Sequence, residues 1–182
     1  MNPDFMKPST RNFETLILPW LDAGYNLARW LLHDEVAAGD VLQEASLKAF
    51  RFLGNLQGDD ARPWFLGIVR NACYTHLQQQ NGHLEITGFD DDVLESLHHQ
   101  DGQHSPDPAT LIHQKQEVGR VNQALQALPT KLREIIVLRE LEGLEYAEIA
   151  QIAELPIGTV MSRLSRARAR LKVLLLSTEE GN

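Results

Sequence analysis

The 182-residue chain has a single cysteine, Cys73, so it can form no internal disulfide and suits a reducing compartment. No apolar run approaches the roughly 18 residues of a membrane span. No apolar N-terminal run leads to a small-residue cleavage site. A soluble, cytoplasmic protein without membrane insertion is expected. No segment alternates apolar and polar residues over the length of a strand, which leaves helices, and there is no internal repeat. Two stretches lack charge of one sign. Asn81 to Thr110 has no Lys or Arg but carries Glu85, Asp90, Asp91, Asp92, Glu95, Asp101 and Asp107. Pro156 to Leu176 has no Asp or Glu but carries Arg163, Arg166, Arg168, Arg170 and Lys172. The formal net charge of -8 argues mildly against nucleic-acid binding. That total conceals a segregation of charge along the chain, and the segregation is more informative.

What is present reads as an all-α protein of two small helical domains. Residues 1–81 form the first, 82–109 an acidic flexible linker, 110–176 the second and 177–182 a tail. Met1 to Arg11, polar with two prolines, is expected to be a loose arm. From Phe13 to Leu32, apolar residues recur at helical spacing, with Pro19 opening or kinking the helix. His33-Asp34 reads as a corner. A second helix follows from Glu35 to Leu53, with Val36, Val41, Leu42, Ala45, Ala49, Phe50 and Leu53 on its apolar side. Gly54 to Ala61 reads as a loop. Arg62 to Gln80 is a third helix with Pro63 in its first turn. Its apolar residues are Trp64, Phe65, Ile68, Val69, Ala72 and Leu77. In the second domain Val118, Val121, Leu125 and Leu128 predict an amphipathic helix. Pro129 starts the next, and Gly143 stops it.

Gly143 to Lys172 reads as two helices joined by a tight turn. Ala150 suits a close crossing, and Ile149, Ile152, Leu155, Val160 and Leu164 suit a small shared core. In the second helix Val160, Leu164, Ala167 and Leu171 form a buried stripe. The other side carries Met161, Ser162, Ser165, Arg166 and Ala169, flanked by Arg163, Arg168 and Arg170. Small side chains let a backbone approach bases, while arginine bonds guanine or neutralises phosphate. Gly158-Thr159 is expected to supply the turn and the N-cap. The plainer alternative, a solvated basic helix in a bundle, explains neither the absence of acids nor the shortness of the turn.

These residues carry a family resemblance. L-P-x-x-x-R-E-I-I-x-L-R, G-L-x-Y-x-E-I-A and P-I-G-T-V-x-S-R-L-x-R-A-R resemble the DNA-reading domain of extracytoplasmic-function sigma factors, which direct bacterial RNA polymerase to promoters. G-D-V-L-Q-E-A-S-L-K-A-F-R resembles their polymerase-clamp helix, and P-W-F-L-G-I-V-R-N-A their promoter-melting helix. The resemblance implies that Asp40, Gln43, Glu44 and Lys48 grip the polymerase clamp, and that the chain contacts the clamp and flap regions of the core. It implies that Asn55, Arg62, Trp64, Arg70, Asn71 and Tyr74 act at the melted −10 element, with Trp64 either a stacking wedge or a core residue. Thr159, Met161, Ser162, Arg163, Ser165, Arg166, Arg168 and Arg170 would meet the −35 element, one of the flanking arginines being free to make an internal salt bridge. The implied partners are RNA polymerase core, promoter DNA and an anti-sigma factor.

The chain departs from the pattern in three places. After Asn71 the usual Asp and basic pair are replaced by Cys73 to Gln80, which has no charged Lys or Arg. Glu145 stands where a Ser or Thr cap is usual, and Glu154 where the turn usually has Gly or Asn, so backbone strain is expected there. No metal, cofactor or catalytic residue is expected. His98, His99, His104 and His113 lack ligand spacing, and a Cys73–His76 pair has no orienting acid nearby. The alternative function is a helix-turn-helix transcription regulator that never joins polymerase core. Such regulators commonly carry a strand-containing sensory domain, which the N-terminal half lacks.

Overall fold

The computed structural model describes residues 10–58, 60–80 and 110–177, all helical or in short connections. The acidic stretch expected to form the linker, the extreme N-terminal arm and the last five residues lie outside them. Thr10 and Arg11, expected in the arm, instead open a first helix, α1 (Thr10–Leu16). Pro19 sits within a single 3-10 turn, Leu18–Trp20, that separates α1 from α2 (Leu21–Leu32). A proline here costs little, because the N–H it lacks would have been unpaired at a helix start.

α2 ends where His33 takes a left-handed conformation, φ 56°. Asp34 then caps α3 (Glu35–Phe52), its Oδ1 accepting from the backbone N–H of Val36 at 2.8 Å and of Ala37 at 3.0 Å. A polar pair thus makes the corner, satisfying two of the orphan donors of the new helix. α4 (Ala61–Gln80) begins the same way, with Asp60 Oδ1 accepting from Arg62 N–H at 3.0 Å.

α2, α3 and α4 pack against one another. The buried side of α3 is lined by Ala37, Ala38, Val41, Ala45 and Ala49, small residues that let the helices approach closely. Gly24 serves the same end on α2. A Cβ built there would lie 3.0 Å from both Leu42 Cδ1 and Phe65 Cε1. Two residues assigned to this core are outside it. Val36 is 75% exposed, and Phe50 lies at the rim with its ring edge-on to Phe13 at 5.5 Å. The alanine stripe, narrower than the apolar periodicity, leaves them no room against α2 and α4. Leu66 and Cys73 are buried on α4 alongside Phe65 and Val69.

The C-terminal half comprises α5 (Thr110–Gln126), α6 (Thr130–Ile136), α7 (Tyr146–Ala153) and α8 (Ile157–Ser177). α6 runs on through a π-helical turn, Val137–Leu141, and the chain reverses at Gly143, φ 66°. On α5, Ala124 and Leu125 are buried, as is Leu128 just beyond it. Val118 and Val121, expected beside them, are exposed. The apolar face of α5 is therefore only partly used by the described residues. Arg133, buried on α6, donates Nη1–H bonds to the carbonyls of Gln126 and Leu128, both at 2.8 Å. It closes the C-terminal end of α5, where carbonyls have no helical donors.

The halves also touch. α2 meets α6 and the π-helical turn, and α4 meets α7. Buried residues of both halves belong to one apolar cluster.

Candidate nucleic-acid and polymerase interfaces

α7 and α8 form the helix pair read from the sequence. Its entry is fixed by Glu148 Oε2, which accepts from the Glu145 N–H at 2.6 Å. Glu145, expected to cap weakly, takes an extended conformation and joins Glu148 in a capping box. Its own carboxylate lies 3.3 Å from Arg139, which also donates to the Leu144 carbonyl at 2.8 Å and lies over the Tyr146 ring. The turn is Glu154–Pro156, which ends before Gly158-Thr159 is reached. Pro156 O accepts from the N–H groups of Thr159 and Val160, so Gly158 and Thr159 are already helical. Glu154 has φ 54° and ψ 46°, the left-handed conformation that a side chain resists.

On α8, Val160, Leu164 and Ala167 are buried against α6 and α7, with Leu171 half-buried. Met161, Ser162, Ser165, Arg166, Ala169 and Arg170 are exposed. Arg163 and Thr159 are half-buried, and Thr159 O accepts from Ser162 Oγ at 3.0 Å. Arg168 is engaged within the fold: its Nε and Nη2 donate to Glu140 Oε1 at 3.0 and 2.5 Å. Glu140 raises the pKa of Arg168 through that hydrogen bond.

α3 turns Asp40, Gln43, Glu44, Leu47 and Lys48 to solvent, opposite its alanine stripe. The four polar residues therefore share one open helical face. Asn55, in the 3-10 turn Leu53–Asn55 that follows α3, is exposed too.

The polar residues of α4 are arranged otherwise. Trp64 is half-buried and packs on the core. Arg62 lies over the Trp20 ring at 5.0 Å and donates Nη2–H to the Glu142 carbonyl. Arg70 donates Nε–H to Glu134 Oε1, Tyr74 donates its hydroxyl to Glu134 Oε2 at 2.7 Å, and the Arg70 guanidinium lies over the Tyr74 ring at 4.6 Å. Asn71 accepts from Arg70 through Oδ1 at 3.2 Å and donates Nδ2–H to Glu154 at 3.5 Å. Its side chain thus bonds other side chains rather than backbone. Burial opposes charge on Arg70, but the Glu134 carboxylate outweighs it and raises the pKa. Burial, reinforced by Glu134, also raises that of Tyr74.

Glu134, Glu142 and Glu154 as partners of α4 were not read from the sequence. Glu134 had left a signal: Arg133-Glu134 interrupts a continuous apolar run from Leu132 to Leu138, and every residue of that run is buried. Charges so placed need partners.

Cys73 is buried, and burial together with Glu134 pushes its thiol up to about 12, which leaves it protonated and unreactive. His76 bonds Gln80 at 2.9 Å. Among the described residues there is no cluster of His, Cys, Asp or Glu able to hold a metal, and no helix long and apolar enough to cross a membrane. His98, His99 and His104 lie outside those residues.

An acid-free basic helix and a separate polar helix face are two exposed surfaces of opposite chemical character, suited to an anion and to a polar partner. The comparisons with known proteins identify the chain further. Residues 16–82 match the family described as Sigma-70 region 2, and residues 119–171 match Sigma-70, region 4. The RNA polymerase sigma-H factor of Pseudomonas aeruginosa is 37% identical over 162 residues, covering 87% of this chain and 83% of that protein. The ECF RNA polymerase sigma-E factor of Escherichia coli K12 is 37% identical over 133 residues, 71% of this chain and 69% of that protein. The solved structure of the sigma factor RpoE in complex with the anti-sigma factor NepR, from Bartonella quintana, is 27% identical. It superposes with a TM-score of 0.69 over 91% of this chain and 98% of that one. The chain belongs to the extracytoplasmic-function (ECF) RNA polymerase sigma factors. As such it binds polymerase core and promoter DNA and directs transcription initiation. The match to region 2 sets aside a regulator that never joins polymerase.

Proposed function

We propose that α8 reads the −35 element through Met161, Ser162, Ser165 and Arg166, while Thr159, Arg163 and Arg170 meet phosphates. Arg168 contributes first to the fold, through Glu140, and meets DNA at the edge. α4 and the turn before it, with Asn55, Arg62, Trp64, Arg70, Asn71 and Tyr74, act on the melted −10 element. Asp40, Gln43, Glu44 and Lys48 of α3 dock the polymerase clamp. Residues 1–81 and 110–176 act as the two working domains, and the protein works in the bacterial cytoplasm without catalytic chemistry of its own.

The observation that carries this reading is the solvent-facing side of α8. It presents small side chains between arginines with no acid on the same helix. A base-reading arginine contributes about 1–3 kcal/mol of discrimination, whereas a phosphate contact affects all sequences alike. Binding of Arg166→Ala to a randomised duplex library tests the assignment. A selective loss at one position supports it, and an equal loss on every sequence refutes it.

An anti-sigma factor is the further partner. The likeness to RpoE spans both halves, in a structure where that sigma factor is in complex with the anti-sigma factor NepR. A partner that recognises this arrangement would keep the chain from polymerase.

A further inference from the structure

Glu134 has no exposed surface, although it is a carboxylate in a buried run that is apolar apart from it and Arg133. Both of its donors, Arg70 Nε and the Tyr74 hydroxyl, lie on α4 in the other half of the chain. The rest of the polar set on α4 also meets the C-terminal half, Asn71 by a long and exposed bond. Arg62 is bonded to the Glu142 carbonyl and Asn71 to the Glu154 carboxylate. Asn26 of α2 adds a bond to the Glu142 side chain at 3.4 Å. Four groups suited to a nucleic-acid strand are thus each occupied by an oxygen of the C-terminal half. The reading side of α8 and the polar face of α3 remain exposed in the same arrangement.

We propose that Glu134 is an intramolecular stand-in for a strand phosphate, holding Arg70 and Tyr74 so that the free chain can read duplex DNA but cannot engage single-stranded DNA. The inference rests on the assignment of α4 to the melted strand. The chemistry of the exchange is simple. Carboxylate and phosphate oxygens accept the same charge-assisted bonds from a guanidinium, and the stacked Arg70–Tyr74 pair offers one N–H and one O–H to either. A buried ion pair suits a reversible latch, because desolvation offsets much of the attraction between its members. Removing one member is different. It leaves the other charge buried and unpaired, and separation of the halves relieves that cost by returning it to water.

Glu134→Gln in the full chain tests the proposal. Small-angle scattering reports closure, and fluorescence anisotropy reports binding of a labelled single-stranded oligonucleotide and of a labelled duplex. Apparent affinity falls by the competent fraction, so a chain about nine-tenths closed gains about tenfold for the single strand when the latch is removed. The radius of gyration is expected to rise with that gain, while duplex affinity stays unchanged. Arg70→Met should also open the chain but give no gain, because it removes the strand's ligand along with the latch. Glu134→Asp keeps the charge, shortens its reach to both donors and leaves the strand ligands of α4 in place. It should give a smaller gain and provides the reading if Glu134→Gln loses its helical circular dichroism; no gain from it would then overturn the proposal. A chain that stays closed with Glu134→Gln overturns the latch, leaving the role of α4 to be judged by promoter opening with Arg70→Met in holoenzyme. Opening without a gain in strand affinity overturns the role of α4, and the stand-in with it.

Discussion

Glu154→Gly should make the protein more stable, although it deletes a side chain and a hydrogen bond. Glu154 follows α7 in the left-handed region, φ 54° and ψ 46°, where its Cβ crowds the backbone. For an L-residue that conformation costs about 1–2 kcal/mol, and glycine escapes the cost. Glycine's greater freedom in the unfolded chain returns roughly 0.5–1 kcal/mol. The bond from Asn71 Nδ2, 3.5 Å long and exposed, is at the limit of hydrogen bonding and contributes little. The carboxylate follows the C-terminus of one helix and precedes the N-terminus of the next, so its two macrodipole terms oppose each other. The backbone bond from Leu155 N–H to Ala150 O, 3.0 Å, is independent of the side chain and keeps the turn closed. The net expectation is about 0.5–1 kcal/mol of stabilisation, a rise of about 1–4 °C in Tm for a chain of this size. Thermal unfolding followed by far-ultraviolet circular dichroism measures it. Glu154→Ala is the control, since it removes the carboxylate but keeps the strain. If the glycine variant melts no higher than the alanine variant, strain at this turn is not the cause.

Gly24→Ala sets propensity against packing. Alanine favours the helix by about 1 kcal/mol, but its methyl would meet Leu42 and Phe65 at 3.0 Å and cost about 1–3 kcal/mol. Urea unfolding should show a net loss of about 1 kcal/mol, whereas a gain would mean that α3 and α4 do not approach α2 so closely. Acidification should loosen the contact between the halves through His33, an exposed side chain whose pKa falls from 6.5 to about 4 through local desolvation and the charge of Arg133 in the other half. The closed chain keeps this imidazole neutral while the open chain protonates it. Its contribution to closure is therefore complete above pH 6.5 and is lost as the pH falls toward 4. Glu142 acts in the opposite sense at lower pH, because burial raises its pKa. Scattering at pH 7.5 and at 5 should show expansion in the wild type and less in His33→Asn; equal expansion in both would remove His33 as the cause.

The helices were legible because local chemistry delimits them. Pro19 breaks α1 from α2, His33-Asp34 makes a corner from one left-handed residue and one cap, and Gly143 reverses the chain. The exposed face of α8 followed from spacing alone, since a helix with Val160, Leu164 and Ala167 buried must turn Ser162, Ser165 and Arg166 outward. Val36, Phe50, Val118 and Val121 were placed inside because periodicity gives the direction of an apolar stripe but not how much of it a neighbour covers. At the turn, α8 already starts at Ile157 with the Pro156 carbonyl accepting its first helical bonds, so Thr159 lies inside the helix, a difference that a few residues of pattern do not resolve.

By itself the sequence determined the all-α class, the helix pair and the basic helix with its exposed side. All of these rest on interactions within a few residues, where spacing along the chain is spacing in the helix. Only the tertiary structure decided that Arg62, Arg70, Asn71 and Tyr74 face acids and carbonyls of the other half. Arg70 looked like a ligand awaiting a strand, and Glu134 like a misplaced charge in a core. Each explains the other only once the fold brings α4 against the C-terminal helices, because a buried charge is stabilised by what surrounds it in space, and sequence distance carries no record of that.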